Sequence, residues 1–211
     1  MESPFRQSVP QDLKVIETFG FRPDEGFVRL DRHLERLATT CAALGIPCDI
    51  DAVRAKLDGM PDYKPLRIRV TIDVAGTLEV TGFEMPQTPD VWRIAIADTR
   101  LDSNEPWLQL KTTKRGLYDR ARAALPKGVD ELVFLNEKNE VCEGTITNVF
   151  ADFGTGLVTP PTSCGLLAGV LRGELLDDGA RLQTIRYSDL ADAKQLYVGN
   201  SLRGLIPARL V

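Results

Sequence analysis

Residues 143–172 have the sequence EGTITNVFADFGTGLVTPPTSCGLLAGVLR, which contains the clearest signals in the chain. The stretch begins with Glu143 inside an apolar run, where a carboxylate either faces water or is held inside by a cation or a hydrogen-bond donor. Near its end, Gly169 precedes a helical pattern that begins at Val170 and Leu171. The first N–H groups of a helix bind anions without any charged side chain. The stretch therefore predicts a strand that carries a carboxylate, followed by an anion site.

A lysine stands between a strand-like run and a helical one in WLQLKTTKRGLYDRAR, residues 107–122. The apolar residues 107–110 predict a strand, and residues 113–125 predict a helix. At the end of a buried strand, an ammonium group is desolvated and becomes a better nucleophile, whereas a surface lysine is the simpler alternative. Lys111 is therefore the candidate nucleophile, and Lys114, inside the predicted helix, is expected to be solvated.

The other patterns mix strands and helices without a steady βαβ rhythm, which indicates an α+β fold in two lobes. A proline-bearing linker at 85–90 separates a smaller lobe, residues 1–86, from a larger one, residues 87–211. The remaining predicted elements are a strand at 12–19, helices at 30–45 and 49–60, a hairpin at 66–84 turning at Ala75-Gly76, strands at 92–98, 131–137 and 141–152, a helix at 170–179, a strand at 193–201 and a tail at 202–211. Asp31 is expected to cap the first helix and Gly45 to end it, and Asp49 or Asp51 to cap the second.

Composition excludes several classes of protein. With 211 residues, 43% hydrophobic and 27% charged, the chain is an ordinary globular protein, and its net charge of −4 without a basic tract argues against nucleic-acid binding. No long apolar run or amino-terminal signal is present, so we expect a cytoplasmic protein without a membrane segment. His33 is the only histidine, which argues against a Ser-His-Asp triad and a histidine-built metal site. The four cysteines are expected to be free thiols.

Several features of the chain point together to pyridoxal 5'-phosphate (PLP). The aldehyde of PLP needs an amine, its pyridine nitrogen needs an acidic partner, and its phosphate needs N–H donors and a cation. Lys111, Glu143 and the helix start described above match three of these needs. Asn200 and Ser201, at the end of a predicted strand, offer further small donors, and Arg36 offers the cation, although a solvated or salt-bridged arginine is an alternative for that residue.

The segment 143–172 resembles the signature of the class IV pyridoxal-phosphate aminotransferases, a fold-type IV family. HLERL at 33–37, ET at 17–18 and KTTKRGLYDRA at 111–121 also follow the order of that family, so the resemblance covers most of the chain. The family contains branched-chain aminotransferases, D-amino-acid aminotransferases and 4-amino-4-deoxychorismate lyases. It implies a smaller amino-terminal α/β lobe and a larger β-rich, barrel-like lobe, with the cofactor in a cleft between them.

The resemblance also implies roles for particular residues. Lys111 is the residue that forms the Schiff base with PLP, and Glu143 pairs with the pyridine nitrogen. Arg36 and the N–H groups of Val170 and Leu171 hold the phosphate. The positions that offer further phosphate-side donors are Asn200 and Ser201.

Two departures from the family pattern stand out. The lead-in to the first strand is short, and a common G-I-T-R reads GVLR at residues 169–172, so that a threonine hydroxyl is replaced by Leu171.

Within the family, the compact length and the segments LKTTKR, GVLR and NSLRG are most similar to the lyase-type members. The reaction thus implied converts 4-amino-4-deoxychorismate to 4-aminobenzoate and pyruvate. Arg115 and Arg203 are the candidates for a substrate carboxylate, with a solvated arginine as the alternative. The rival hypotheses are an aminotransferase for branched-chain or D-amino acids and a non-catalytic homologue. The family resemblance further implies a homodimer that acts on a small-molecule amine.

Overall fold

The computed structural model describes residues 9–60 and 63–211. The chain divides into two compact units, and the second is built from two stretches, Thr88–Leu110 and Arg115–Val211. The first unit holds the described residues up to Gln87 together with the short segment Lys111–Lys114. Within the described residues, no helix is long and apolar enough to cross a membrane.

The first unit combines one antiparallel sheet with two helices. Its elements are β1 (Lys14–Arg22), β2 (Gly26–Phe27), α1 (Leu30–Leu44), α2 (Ile50–Asp58), β3 (Leu66–Asp73) and β4 (Leu78–Glu84). The strand order is β2-β1-β3-β4. Most of β1 is buried, as expected for a run of aromatic and β-branched residues with a helix packed against it.

Most local predictions for the first unit are confirmed. The helix α1 ends at Gly45, which has the left-handed φ of 70° that favours glycine, and Asp49 caps α2 by accepting from the Ala52 N–H. The hairpin of β3 and β4 turns through Gly76, which has a φ of 84°.

The prediction that Asp31 caps α1 is wrong. Residue 29 is the N-cap, so Asp31 lies in the first turn, where its charge still favours the helix dipole.

The second unit is built around a closed sheet. Its strands are β5 (Trp92–Leu101), β6 (Glu131–Asn136), β7 (Val141–Gly144), β8 (Asn148–Asp152), β9 (Leu157–Thr159), β10 (Arg181–Leu182), β11 (Gln195–Asn200) and β12 (Gly204–Leu210), and its helices are α3 (Gly116–Ala123) and α4 (Val170–Asp177). Because β7 pairs with β8 as well as with β6, six strands close in the order β8-β11-β12-β5-β6-β7, and β9 and β10 extend from β8. Apolar side chains such as Ile94, Val149 and Val198 fill its core.

Three predictions for the second unit are wrong. Residues 107–110 are not a strand: Pro106–Gln109 form a 3-10 turn, which starts at a proline and is capped by the Glu105 side chain on the Trp107 N–H. The predicted strand 141–152 is two strands, β7 and β8, which pair with each other. The predicted tail is β12, which pairs with β11 and β5 and so closes the sheet.

Candidate active site

Lys111 lies in a short extended segment attached to β1 in the first unit. The Lys111 carbonyl accepts from the Ile16 N–H at 2.9 Å, and the Thr113 N–H donates to the Lys14 carbonyl at 2.8 Å. A bridge between Val15 and Thr112 lies between these two bonds. The backbone on both sides of the lysine is therefore fixed, and its side chain is half-buried.

A buried ionic cluster connects β1 to α1. One carboxylate oxygen of Glu17 accepts from Arg36 Nε at 2.8 Å, and the other accepts from Arg36 Nη2 at 2.7 Å and from His33 Nδ1 at 2.6 Å. The side chains of Glu17 and His33 are each only 1% exposed. Arg36 was predicted either to bind phosphate or to form a salt bridge, and in the first unit it forms this bidentate pair with Glu17.

Burial and charge set the protonation states in this cluster. Burial alone raises the pKa of Glu17, but the charge and hydrogen bonds of Arg36, together with those of His33, outweigh it and lower the pKa from 4.5 to about 2. Burial lowers the pKa of His33 from its usual 6.5, and the charges of Arg36 and Lys111 add to this, although the hydrogen bond and charge of Glu17 oppose it. At neutral pH, His33 is therefore the uncharged tautomer that donates from Nδ1 to an ionised Glu17.

Glu143 lies in the second unit with its side chain turned inward. The Tyr118 hydroxyl donates to Oε1 at 2.6 Å, and the Leu167 N–H donates to Oε2 at 3.1 Å. The residue is 7% exposed, so the buried alternative of the two predicted orientations is the one observed. Burial and the Glu143 charge both raise the pKa of Tyr118, which keeps the phenol protonated and able to donate.

A second buried carboxylate, Glu131, holds the loop that follows Glu143. It accepts from the N–H groups of Thr145 and Ile146 at 3.0 and 3.2 Å and from the Thr147 hydroxyl at 3.0 Å. Gly144 is required in this loop because a Cβ there would collide with the Glu131 carboxyl and with Thr147 Oγ1. Glu131 thereby breaks the predicted long strand and fixes the turn between β7 and β8.

The start of α4 is positioned by Asn148. Its Nδ2 donates to the Leu167 carbonyl at 2.9 Å, and its Oδ1 occupies the place where a Cβ on Gly169 would stand. The Gly173 N–H bonds back to the Gly169 carbonyl at 2.9 Å, so the N–H groups of Val170 and Leu171 precede the hydrogen-bond ladder of the helix. These two N–H groups form the helix start that was predicted to bind an anion.

The other predicted site residues are placed as follows. Asn200 donates from Nδ2 to the Ile146 carbonyl at 3.1 Å, and its Oδ1 accepts from the N–H of Arg203, which forms the turn between β11 and β12. Ser201 is buried next to it.

Arg115 donates to Asp119 at 2.8 Å and to the Thr145 carbonyl at 2.9 Å. Asn200 and Arg115 thus both contact the loop that Glu131 holds.

Arg203, the second candidate for a substrate carboxylate, lies over the ring of Trp92, with 5.6 Å between the guanidinium carbon and the ring centroid. This is a stacking arrangement of the kind that arginine forms with aromatic side chains. Within the described residues, no group of three or more His, Cys, Asp and Glu side chains is placed to hold a metal ion.

Four residues with clear places in these networks had no predicted role: Glu17, Tyr118, Glu131 and Asn148. Glu17 had a usable signal, since it is a carboxylate inside an apolar strand, like Glu143, whereas Glu131 stands at the start of its strand next to Asp130. No sequence signal pointed to Tyr118, because a tyrosine on an amphipathic helix most often packs without a specific partner.

The chain is similar to known proteins of one family. The sequence model of the family "Amino-transferase class IV" matches residues 14–211. An aminodeoxychorismate lyase from Bacillus subtilis is 27% identical, covering 97% of this chain and 80% of the relative. The structure of a candidate amino-acid aminotransferase from Mesorhizobium loti is 45% identical with a TM-score of 0.87, covering 95% of this chain and 100% of that chain.

A 4-amino-4-deoxychorismate lyase structure from Pseudomonas aeruginosa is 26% identical with a TM-score of 0.79, covering 93% of this chain and 82% of that chain. These structural similarities confirm the predicted fold, which has a small α/β part and a larger barrel-like sheet. The family match covers most of the chain and includes both Lys111 and Glu143. The chain therefore belongs to the class IV aminotransferase family, whose members are PLP-dependent enzymes.

Proposed function

We propose that this protein is a PLP-dependent lyase that converts 4-amino-4-deoxychorismate to 4-aminobenzoate and pyruvate, a step that would supply a folate precursor. The observation that carries the proposal is the similarity to the Bacillus subtilis aminodeoxychorismate lyase, which extends over 97% of the chain. The lyase structure from Pseudomonas aeruginosa supports it at 26% identity.

The donor set of the chain fits PLP. Lys111 supplies an amine for the aldehyde, and Glu143 is a buried carboxylate whose two described donors are uncharged, which suits a protonated pyridine nitrogen. The N–H groups of Val170 and Leu171 suit the phosphate because they stand at the positive end of the α4 dipole. We assign Arg36, Asn200 and Ser201 to the phosphate as well, on the strength of the family resemblance.

When bound, PLP supplies an electron sink for the electrons of a broken bond at the carbon that bears the amino group. In the proposed reaction, Lys111 Nζ takes the proton from that carbon. The C–O bond to the enolpyruvyl group then breaks, the ring becomes aromatic, and the same amine returns a proton to the leaving group, which becomes pyruvate. The reaction needs no oxidant, reductant or keto acid.

Substrate carboxylates are assigned to Arg115 and Arg203. Arg115 already donates to Asp119 and to the Thr145 carbonyl, so this assignment requires it to change or share a partner. We further propose that the protein is a cytoplasmic homodimer, which sedimentation of the purified protein and fractionation of cells would check.

The direct test combines PLP-loaded protein with enzymatically generated 4-amino-4-deoxychorismate and measures 4-aminobenzoate by fluorescence. Lys111→Ala is expected to abolish product. The matched control is Lys114→Ala, an exposed lysine three residues away, which is expected to retain activity. Absence of product from the unmodified protein would overturn the lyase assignment, and product from Lys111→Ala would overturn the role of that lysine.

A second candidate function is amino-group transfer from branched-chain or D-amino acids. It is favoured by the 45% identity to the candidate amino-acid aminotransferase from Mesorhizobium loti. A transaminase converts bound PLP to the pyridoxamine form with an amino donor and regains it with a keto acid, whereas a lyase completes turnover without an acceptor. Absorbance spectra recorded with each amino donor separate the two functions. Absence of both activities in a PLP-loaded protein would favour the third candidate, a non-catalytic homologue.

A further inference from the structure

The Tyr118 side chain, which donates a hydrogen bond to Glu143, is itself fixed by its neighbours. Its ring packs edge-on against Phe134, with centroids 5.2 Å apart and an angle of 79° between the planes. Phe134 is 1% exposed in the core of the second unit, so the tyrosine ring rests on a rigid surface. The Arg115 guanidinium lies 5.8 Å from the centroid of the same ring. The hydroxyl is thereby directed at Glu143 Oε1, to which it donates at 2.6 Å.

This hydrogen bond has a particular electrostatic consequence. A short bond from a neutral hydroxyl to a carboxylate is charge-assisted, and it stabilises the ionised form of the acid without neutralising its charge. An arginine in the same place would also stabilise the anion, but it would cancel the negative charge. The Leu167 N–H, the other described donor to Glu143, is neutral as well.

We propose that Tyr118 is a positioning residue that, by donating to Glu143, keeps the proton shared between Glu143 and the PLP pyridine nitrogen on the nitrogen. The inference rests on the proposed function, because it assumes that Glu143 faces that nitrogen. A carboxylate that lost this donor would be a stronger base and would draw the proton toward itself. The pyridine ring would then be a weaker electron sink, and removal of the substrate proton would be slower.

Tyr118 can play this part over a wide range of pH. Burial raises the pKa of the phenol, and the charge of Glu143 raises it further, so the hydroxyl stays protonated where the enzyme would work. Cys142 and Arg115 are the other ionisable groups whose charges act on it.

The test is a measurement of where the proton lies. PLP labelled with ¹⁵N at the ring nitrogen is bound to the unmodified protein, to Tyr118→Phe and to the control Tyr187→Phe, whose side chain is exposed. We expect a pyridinium-like ¹⁵N chemical shift in the unmodified protein and in the control, and a shift toward neutral pyridine in Tyr118→Phe. We also expect kcat to fall about tenfold in Tyr118→Phe with KM changed less than about twofold, because a bond to a charged group is lost.

A second variant keeps the test decisive if Tyr118→Phe folds poorly. Incorporation of 4-aminophenylalanine at residue 118 retains the ring and replaces the hydroxyl with a weaker N–H donor, so the nitrogen signal should move part of the way toward neutral pyridine. An unchanged ¹⁵N shift in both variants would overturn the proposal.

The variant Glu143→Gln separates failure of this inference from failure of the proposed function. If Glu143→Gln moves the ¹⁵N signal and the Tyr118 variants do not, only the role of Tyr118 is wrong. If Glu143→Gln leaves the signal in place, the assignment of Glu143 to the cofactor is wrong.

Discussion

Glu17 and Glu143 are buried carboxylates, one in each unit, and the side chains that hold them differ in charge. Glu17 is bound by the Arg36 guanidinium through two bonds and by neutral His33. Glu143 is bound by a phenol and a backbone N–H, which carry no charge. The arginine offsets the charge of Glu17 directly, whereas the hydrogen bonds that Tyr118 and Leu167 donate to Glu143 bring no positive charge.

This difference suggests that the two carboxylates have different roles, one in stability and one in chemistry. An ion pair buried inside one unit contributes to folding and orientation, and it is costly to break because the remaining charge stays buried. Glu143, by contrast, is proposed to face the pyridine nitrogen, so its charge would serve the chemistry. We therefore expect changes at Glu17 to act on stability and changes at Glu143 to act on chemistry.

The largest expected effect is on folding, in Glu17→Gln. This change removes the buried negative charge and leaves Arg36, whose side chain is only 17% exposed, without its bidentate partner, which costs about 3 kcal/mol in the free energy of unfolding. Urea denaturation of the protein without cofactor measures it. The matched control is Glu25→Gln, which breaks an exposed pair with Arg22 and should leave the midpoint unchanged. Equal midpoints for Glu17→Gln and the unmodified protein would show that the cluster does not stabilise the first unit.

The second prediction concerns Glu143→Gln. The amide oxygen can accept from the Leu167 N–H while the amide nitrogen donates to the Tyr118 oxygen, so both hydrogen bonds survive and the charge is lost. We expect kcat to fall about a hundredfold through weaker electrostatic support of the transition state. The melting temperature should change by less than about 2 °C. A large drop in melting temperature with little loss of kcat would reverse the comparison between the two carboxylates.

Gly169→Ala should weaken phosphate binding. A Cβ at this position collides with Asn148 Oδ1, so the start of α4 must move. We expect affinity for PLP to fall about tenfold, in line with the strength of anion contacts at helix starts. Affinity for pyridoxal, which lacks the phosphate, should be unaffected. Fluorescence titration measures both constants.

Gly59→Ala is the control for this prediction, because a Cβ there makes only an ordinary contact of 3.7 Å with the Lys56 carbonyl. A parallel loss of affinity for PLP and pyridoxal in Gly169→Ala would point to general damage to the unit.

The last expected effect is the pH dependence of stability on the acid side of neutrality. The pKa of His33 is lowered on folding, so the unfolded chain binds a proton more readily and stability falls as the pH drops below 6.5. The pKa of Glu17 is lowered from 4.5 to about 2, so its contribution is present above pH 4.5 and is lost as the pH falls toward 2. Urea denaturation from pH 5 to pH 2 should show a smaller loss of stability in Glu17→Gln than in the unmodified protein, because the amide takes up no proton there. Equal losses would contradict the assignment of the acid sensitivity to this cluster.

The fold was largely predictable because its strongest signals are local. Period-two alternation over residues 66–84 predicts the hairpin of β3 and β4, and Gly45 predicts the end of α1. The predictions of strands failed where a specific contact outweighed the local preference of the residues. Residues 107–110 have a strand-like composition, but Pro106 and the Glu105 cap form a 3-10 turn. The run 141–152 has a strand-like composition, but Glu131 binds its middle and divides it into β7 and β8.

For the candidate site, too, the sequence predicts some features and not others. Family motifs in the sequence select Lys111, Glu143 and Arg36, and their roles toward PLP stay predictions. The partners of these residues were not predicted, because a hydrogen bond joins residues that are distant in the chain. Tyr118 stands 25 positions before Glu143, and no spacing rule connects a helix tyrosine to a strand carboxylate.

By itself, the sequence determined the order of most strands and helices, the membership in the class IV family and the residue types that the chemistry needs. These follow from periodicity, from turn residues and from motifs in which neighbours along the chain are sufficient. Only the tertiary structure decided which carboxylate is paired with an arginine and which with a phenol, and which loop Glu131 holds. The reason is physical: the state of a buried acid depends on the donors and charges around it, and folding brings these together from separate parts of the chain.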